Sequence, residues 1–175
     1  MTNGEVWMDG QDRLFANMDR LIGDMAVAAK KGIRKAGMQI VADAQRNMRT
    51  AGHNGRTLNN TGRLSQSGRV QDVEGSEDVE IGFFSQSGER GYAAAVEYGS
   101  RAHWPPKQEI DSWVYKKLRV AKDRVASVGF LIRRAISRKG TSPHPFFSPA
   151  VEKNKSGIRD AITDAVNEVI NKDQS

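Results

Sequence analysis

Tyr92-Ala-Ala-Ala-Val-Glu-Tyr-Gly-Ser100 and Gly140-Thr-Ser-Pro-His-Pro-Phe-Phe-Ser-Pro-Ala150 are the two stretches on which the reading of this chain turns. Both are apolar, aromatic and punctuated by Gly or Pro. Residues of this kind set a backbone path and pack against something; they do not carry bond-making chemistry. In the second stretch Pro143, Pro145 and Pro149 are expected to hold the backbone extended, with Phe146 and Phe147 as apolar anchors, at least one of them buried. In the first, the Ala run gives no strict alternation, so Tyr92–Tyr98 reads as a third strand or a short helix. Glu97 is an isolated acid between Val96 and Tyr98, ahead of Gly99. Two expectations follow for it: an ion pair that fixes geometry, or a place on the outward face of a strand.

The forty residues between the two stretches are basic. Residues 101–140 hold eleven Lys/Arg against three Asp/Glu, whereas the rest of the chain is slightly acidic and the whole carries a net charge of +6. Apolar spacing predicts a helix over Lys107–Lys122, with Ile110, Trp113, Val114 and Leu118 inward. A second is predicted over Val125–Ser137, with Val128, Phe130, Leu131, Ile132 and Ile136, and Gly140 stops it. Together they form a basic helical insertion over 101–139, a hairpin projecting from or lying over a sheet, with Trp113, Leu118, Phe130 and Leu131 in its seam. Arg133, Arg134 and Arg138 are expected outside that seam. With Lys116, Lys117 and Arg119 they form the set that would face DNA or an acidic partner. The plainer reading is a solvated helix face, and no zinc-finger, stacking-aromatic or helix-turn-helix pattern accompanies the charges.

Outward from this centre, residues 11–49 read as helix, with Leu14, Met18, Leu21, Ile22, Met25, Ala28, Ile33, Ala36, Ile40, Val41, Ala44 and Met48 at three-and-four spacing. Gly23-Asp24 offers a break, with Asp24 capping the longer second part. Ala36, Gly37 and Ala44 suit a helix lying close on a sheet. Residues 50–67 are rich in turn formers and poor in apolar side chains, and are expected to be a loop that orders on assembly. Residues 68–74 and 78–84 alternate as two strands around Gly75-Ser76-Glu77. Ser85–Gly91 is a polar loop, and residues 149–172 form a last amphipathic helix. Val6-Trp7-Met8 suggests a short strand or arm. The expected fold is therefore α+β: a small antiparallel sheet packed against a long N-terminal helix and a C-terminal helix, in a single domain over 1–175.

Several functions are excluded by what is missing. The chain has no Cys, so thiolate zinc sites and Cys nucleophiles fall away. No apolar run reaches 18 residues, and the first residues show no secretory signal. His53, His103 and His144 lie in loops without metal-ligand spacing. Phosphate-loop, dinucleotide and nucleophile-elbow patterns are absent. Glu77, Asp78 and Glu80 read as a solvated strand end rather than a cation site. No enzyme activity, cofactor, metal, small-molecule substrate or membrane contact is expected. A hydrolase using Glu97 or a histidine stands far behind a structural role.

The order of elements resembles a known family. Thr61-Gly62-Arg63-Leu64 with Ser67, then Tyr92-Ala93 with Val96-Glu97-Tyr98-Gly99, then Pro143-His144-Pro145-Phe146-Phe147 with Pro149-Ala150, are similar to three elements of the phage Hong Kong 97 gene-ten-like morphogenesis family. Ser100 stands where that family often has Thr, and Ser65-Gln66-Ser67 follows Leu64 where a basic residue and Ser are usual. The resemblance implies a virion protein of a tailed phage or prophage: a neck or tail-completion subunit, without enzymatic activity. It implies a ring of copies, six-fold or a multiple, that joins the head connector to the tail tube or tail terminator, with DNA passing through its lumen. It implies assembly in the host bacterial cytoplasm, and an interface role for Tyr92, Val96, Glu97, Tyr98, Gly99, Pro143, Pro145, Phe146, Phe147 and Pro149. The alternative from another class is a DNA-binding protein using the basic helices of 107–139.

Overall fold

A computed structural model describes residues 10–50, 62–84 and 91–173. Helix α1 spans Gln11–Thr50, α2 Arg63–Gln66, α3 Gly91–Tyr98, α4 Lys107–Lys117, α5 Lys122–Lys139 and α6 Ser148–Asp173; strands β1 and β2 span Gly68–Asp72 and Val79–Phe83. The fold is α+β, as expected from the sequence. Strands β1 and β2 pair antiparallel, with Val70 opposite Ile81 and Gly68 opposite Phe83.

Helix α1 is the spine, and it serves two partners. Its Gly37 passes over Ile81 and Val70 of the sheet, and Val41 lies against Gly68. On another side α6 runs antiparallel to it. Arg20 meets Asp173 at 2.9 Å, Gly32 approaches the backbone of Ala161, and Asn47 donates to the Phe146 carbonyl at 3.0 Å. The core lies where all three layers converge, around Ile40, Val41, Ala44, Met48, Leu64, Phe83, Phe146 and Ala150. Phe83 meets Phe146 edge-on at 5.1 Å and Phe147 at 5.9 Å. Helix α2 is held on α1 by Leu64, which is buried, and by Gln45 donating to the Ser65 carbonyl at 2.8 Å.

Several expectations are corrected. Helix α1 continues through Gly23 and Asp24; the roughly 1 kcal/mol cost of a helical Gly is small against the packing of α1 from Ala28 onward. Part of the expected 50–67 loop, Arg63–Gln66, is a helical turn because Leu64 reaches the core. Tyr92–Tyr98 is helix, so the sheet keeps two strands. Helix α4 ends at Lys117, where Leu118 caps it and Arg119 turns to a φ of 51°. Pro149 lies in the first turn of α6, where a residue without an amide is tolerated, so the extended path covers Pro143 and Pro145 only. In the hairpin, Val114 is fully buried and Trp113 and Leu118 half-buried, but Phe130 and Leu131 are exposed. The hairpin helices pack chiefly on each other, not on the sheet. Val6-Trp7-Met8, His53, residues 51–61 and the Ser85–Arg90 loop lie outside the described residues.

The α1–α6 approach yields a direct test. Ala is the better helix former than Gly by about 1 kcal/mol, but a Cβ on Gly32 would press on the Ala161 carbonyl and the Ile162 backbone, which cannot swing aside. Gly32→Ala is therefore expected to lower stability by about 1–3 kcal/mol in urea unfolding. An unchanged or raised midpoint would show that the helices do not pack this closely.

Candidate functional site

The two Gly- and Pro-punctuated stretches meet. Glu97 ends the inner face of α3 and is only 5% exposed. Its Oε2 accepts from the amides of Phe146 at 2.8 Å and Phe147 at 2.9 Å, and its Oε1 accepts from the amide of Ser148 at 2.9 Å. These amides lie just ahead of and at the start of α6, where a helix leaves donors without intrahelical partners and its dipole favours negative charge. Glu97 thus caps a helix that begins some fifty residues later. Among the described residues it has no ion-pair partner, which one expectation gave it, and it does not lie on an outward strand face, where the other placed it.

A second layer of hydrogen bonds closes the junction. His144 donates its amide to the Val96 carbonyl at 2.9 Å. Ser100 and Thr141 form an antiparallel bridge, with amide-to-carbonyl distances of 3.2 and 3.1 Å, and their hydroxyls meet at 2.9 Å. Gly99 and Gly140 flank the bridge with φ of 76° and 72°. A side chain on either would run into the opposing backbone, at Thr141 for Gly99 and at Ser100 for Gly140. Both glycines are needed for the left-handed turn and for the close approach. The clasp therefore pins both ends of the 101–140 segment, and α4 and α5 form an arm that leaves from it.

The clasp residues divide by depth. Phe146 is buried at the centre, Val96 and Phe147 are half-buried against the core, and Tyr92, Tyr98, Pro143, Pro145 and Pro149 face outward. On the arm, Lys116, Arg119, Arg134 and Arg138 are exposed and Lys117 is half-buried. Arg133 is corrected: it is 9% exposed, its guanidinium 5.6 Å from the Trp104 ring and 6.0 Å from the Phe130 ring. Its Nε and Asp111 Oδ1 are buried without a hydrogen-bond partner among the described residues. No local pattern signals this, because Trp104, which covers Arg133, lies before α4 begins.

Sequence reasoning missed Asp43. It sits on the buried face of α1 and is held by Arg46, by Lys153 Nζ at 3.2 Å and by Asn154 Nδ2 at 2.9 Å. The Asn154 hydrogen bond, helped by Lys153 and Arg46 against the opposing effect of burial, holds its carboxyl at about 2. The available signal was an acid among Ile40, Val41 and Ala44 on the inner stripe. In Glu97 burial pushes the carboxyl up, but the amides of Phe147, Phe146 and Ser148 with the Ser148 side chain pull it further down, so it too lies below its ordinary value. His103 Nδ1 lies 2.9 Å from the Arg101 carbonyl and 3.4 Å from Ser100 Oγ, beside the clasp. Among the described residues no group of His, Asp and Glu is arranged to hold a metal ion, and no helix is long and apolar enough to cross a membrane.

A long helical spine, a two-stranded sheet and a buried carboxylate that holds the start of a helix make a packed body with an appended arm. Comparison with protein families makes this specific. Residues 12–99 match the family described as "Bacteriophage HK97-gp10, putative tail-component", and the chain belongs to that HK97-gp10-like family. The match ends at Gly99, where the arm begins, so the Pro143–Ala150 element lies beyond it. No curated protein and no solved structure matches the chain.

Two outcomes follow. Glu97→Ala would strand three amides at the start of α6 and is expected to lower stability by about 2–4 kcal/mol in urea unfolding, more than the ~1 kcal/mol of an ordinary cap; a loss below about 0.5 kcal/mol would refute the clasp. For pH, both carboxyls are depressed in the folded chain. Their contribution is therefore complete above the ordinary 3.8 of Asp43 and 4.5 of Glu97 and is lost as pH falls below those values, for Asp43 toward about 2. Melting temperature should drop steeply from about pH 5 downward, and Asp43→Asn should flatten that slope.

Proposed function

We propose that this tail-component family member is a neck or tail-completion subunit of the virion, acting structurally and not as an enzyme. In this reading copies form a ring, six-fold or a multiple of it, between the head connector and the tail tube or tail terminator, assembled in the host bacterial cytoplasm. Family membership carries the reading. The clasp supports it physically, since a ring subunit must hold its contact surfaces rigidly against one another and needs two different surfaces. The arm is strongly basic and the remainder slightly acidic.

A second reading rests on the exposed cations of the arm. Lys116, Arg119, Arg134 and Arg138 could track a phosphate backbone, either as DNA passes through the ring or in a free DNA-binding protein. A DNA-binding protein would be absent from particles and would shift duplex DNA with steep salt dependence.

Mass spectrometry of purified particles separates the readings: a neck subunit is expected at about the copy number of one or two rings, and absence from particles refutes it. Arg134→Glu with Arg138→Glu removes charge that no buried contact uses. The double variant is expected to fold normally and to lower the yield of joined, infective particles at least tenfold in complementation of a null phage. Full infectivity would leave the arm's charge as mere solvation.

A further inference from the structure

The described chain exposes two separate apolar stripes with opposite charged borders. The first lies on α1. Among the described residues α6 reaches as far as Arg20, through Asp173, and no described helix packs on the residues before it. Leu14, Phe15, Met18 and Ile22 form a continuous exposed face there, Phe15 being 52% exposed. Asp12 and Asp19 continue the three-and-four spacing of Phe15 and Ile22, so they border that stripe with negative charge. The second stripe lies on the outer face of α5. Phe130 and Leu131, the latter 61% exposed, line a shallow depression with Ala126 and Ser127. Arg124, Arg134 and Arg138 share the face of Leu131 at the same three-and-four spacing and are exposed, with Asp123 at its N-terminal end, so the face carries a net positive charge.

Within one chain α5 is not packed along α1, and Leu131 does not reach Met18. The clasp lies level with Asn47, which holds the Phe146 carbonyl, and Met18 is about 44 Å further down α1 at 1.5 Å per residue. Leu131 lies about 14 Å along α5 from Gly140, and even the fully extended run from Thr141 to Phe146 brings its reach to only about 30 Å.

We propose that the α5 stripe of one copy docks on the α1 stripe of a second copy, apolar face on apolar face, with Arg134 and Arg138 against Asp12 and Asp19. The contact is head-to-tail, so every docked copy leaves one stripe of each kind free for the next, and the chain of contacts closes as a ring where the rotation permits. Aromatic side chains ringed by charges are the usual make-up of such contacts. This deepens the ring reading above, yet its test is independent of it: pairing of purified chains can fail while particles contain the protein, and the reverse.

The test uses two variants of the full chain. Phe15→Glu with Ile22→Glu blunts the α1 stripe; Leu131→Glu with Arg134→Glu blunts the arm stripe. All four positions are exposed, and circular dichroism checks folding. In analytical ultracentrifugation the native chain is expected to associate with rising concentration, and each variant alone to associate at least tenfold more weakly. An equimolar mixture should give a one-to-one dimer that grows no further, since each variant supplies the stripe the other lacks. Because the chain has no Cys, a second readout avoids charge changes altogether. With dissolved oxygen as the oxidant, Met18→Cys mixed with Leu131→Cys should form the mixed disulfide at least tenfold faster than either forms its own. A native chain that stays monomeric, a blunted variant that dimerises alone, or mixed crosslinking no faster than self-crosslinking overturns the proposal.

Discussion

One carboxylate in a buried place organises this molecule. Glu97 brings a negative charge to three amides at the start of α6, and no cation among the described residues is paired with it. An unpaired buried charge is costly, so Glu97 is tolerable only where those amides are. The amides in turn need an acceptor, because the extended Pro143–Pro145 path gives them no ladder and the helix has not yet begun. Each side solves the other's problem. The consequence is positional: α3 and the start of α6 are registered to within a hydrogen bond, and Phe146, whose amide is bound, is delivered to the centre of the core.

That registration explains why the spine can be so long. Most of α1 beyond its first turns is gripped on two sides, by the sheet across Gly37 and by α6 across Gly32, and small residues let both partners come close. Asp43 and its partners on α6 hold one end of the α1–α6 pair, while the clasp sets where α6 starts. The antiparallel run of α6 then follows from geometry, with Asp173 arriving at Arg20.

Much of this was legible from residue patterns. Period-two alternation found both strands, three-and-four spacing found α1, the hairpin and α6, and the Gly- and Pro-punctuated stretches were recognised as packing elements. What escaped was whatever depends on partners distant in sequence. No local rule says whether Tyr92–Tyr98 is helix or strand; the distant amides that demand an acceptor on one face of α3 decide it. The role of Glu97 was hidden for the same reason, because its ligands are backbone groups and carry no side-chain signature. Arg133 looked like one more surface cation until Trp104 folded over it, and Leu131 looked like core because its periodicity is real, yet it is exposed. Gly23 looked like a break because local propensity was weighed without the two-sided grip that follows it.

The bridge between Ser100 and Thr141 has an implication for how such a chain can change over time. Because the forty residues between them leave and re-enter through one pair of facing strand positions, the ends of that segment stay a fixed few ångströms apart whatever lies beyond. Lengthening a loop closed in this way adds little entropic penalty, roughly 0.6 kcal/mol per doubling. The arm can therefore be extended, shortened or exchanged without the body needing to readjust, so long as Gly99 and Gly140 remain. The bridge works as a socket, and the arm as a replaceable fitting through which one subunit design can be adapted to differently shaped neighbours.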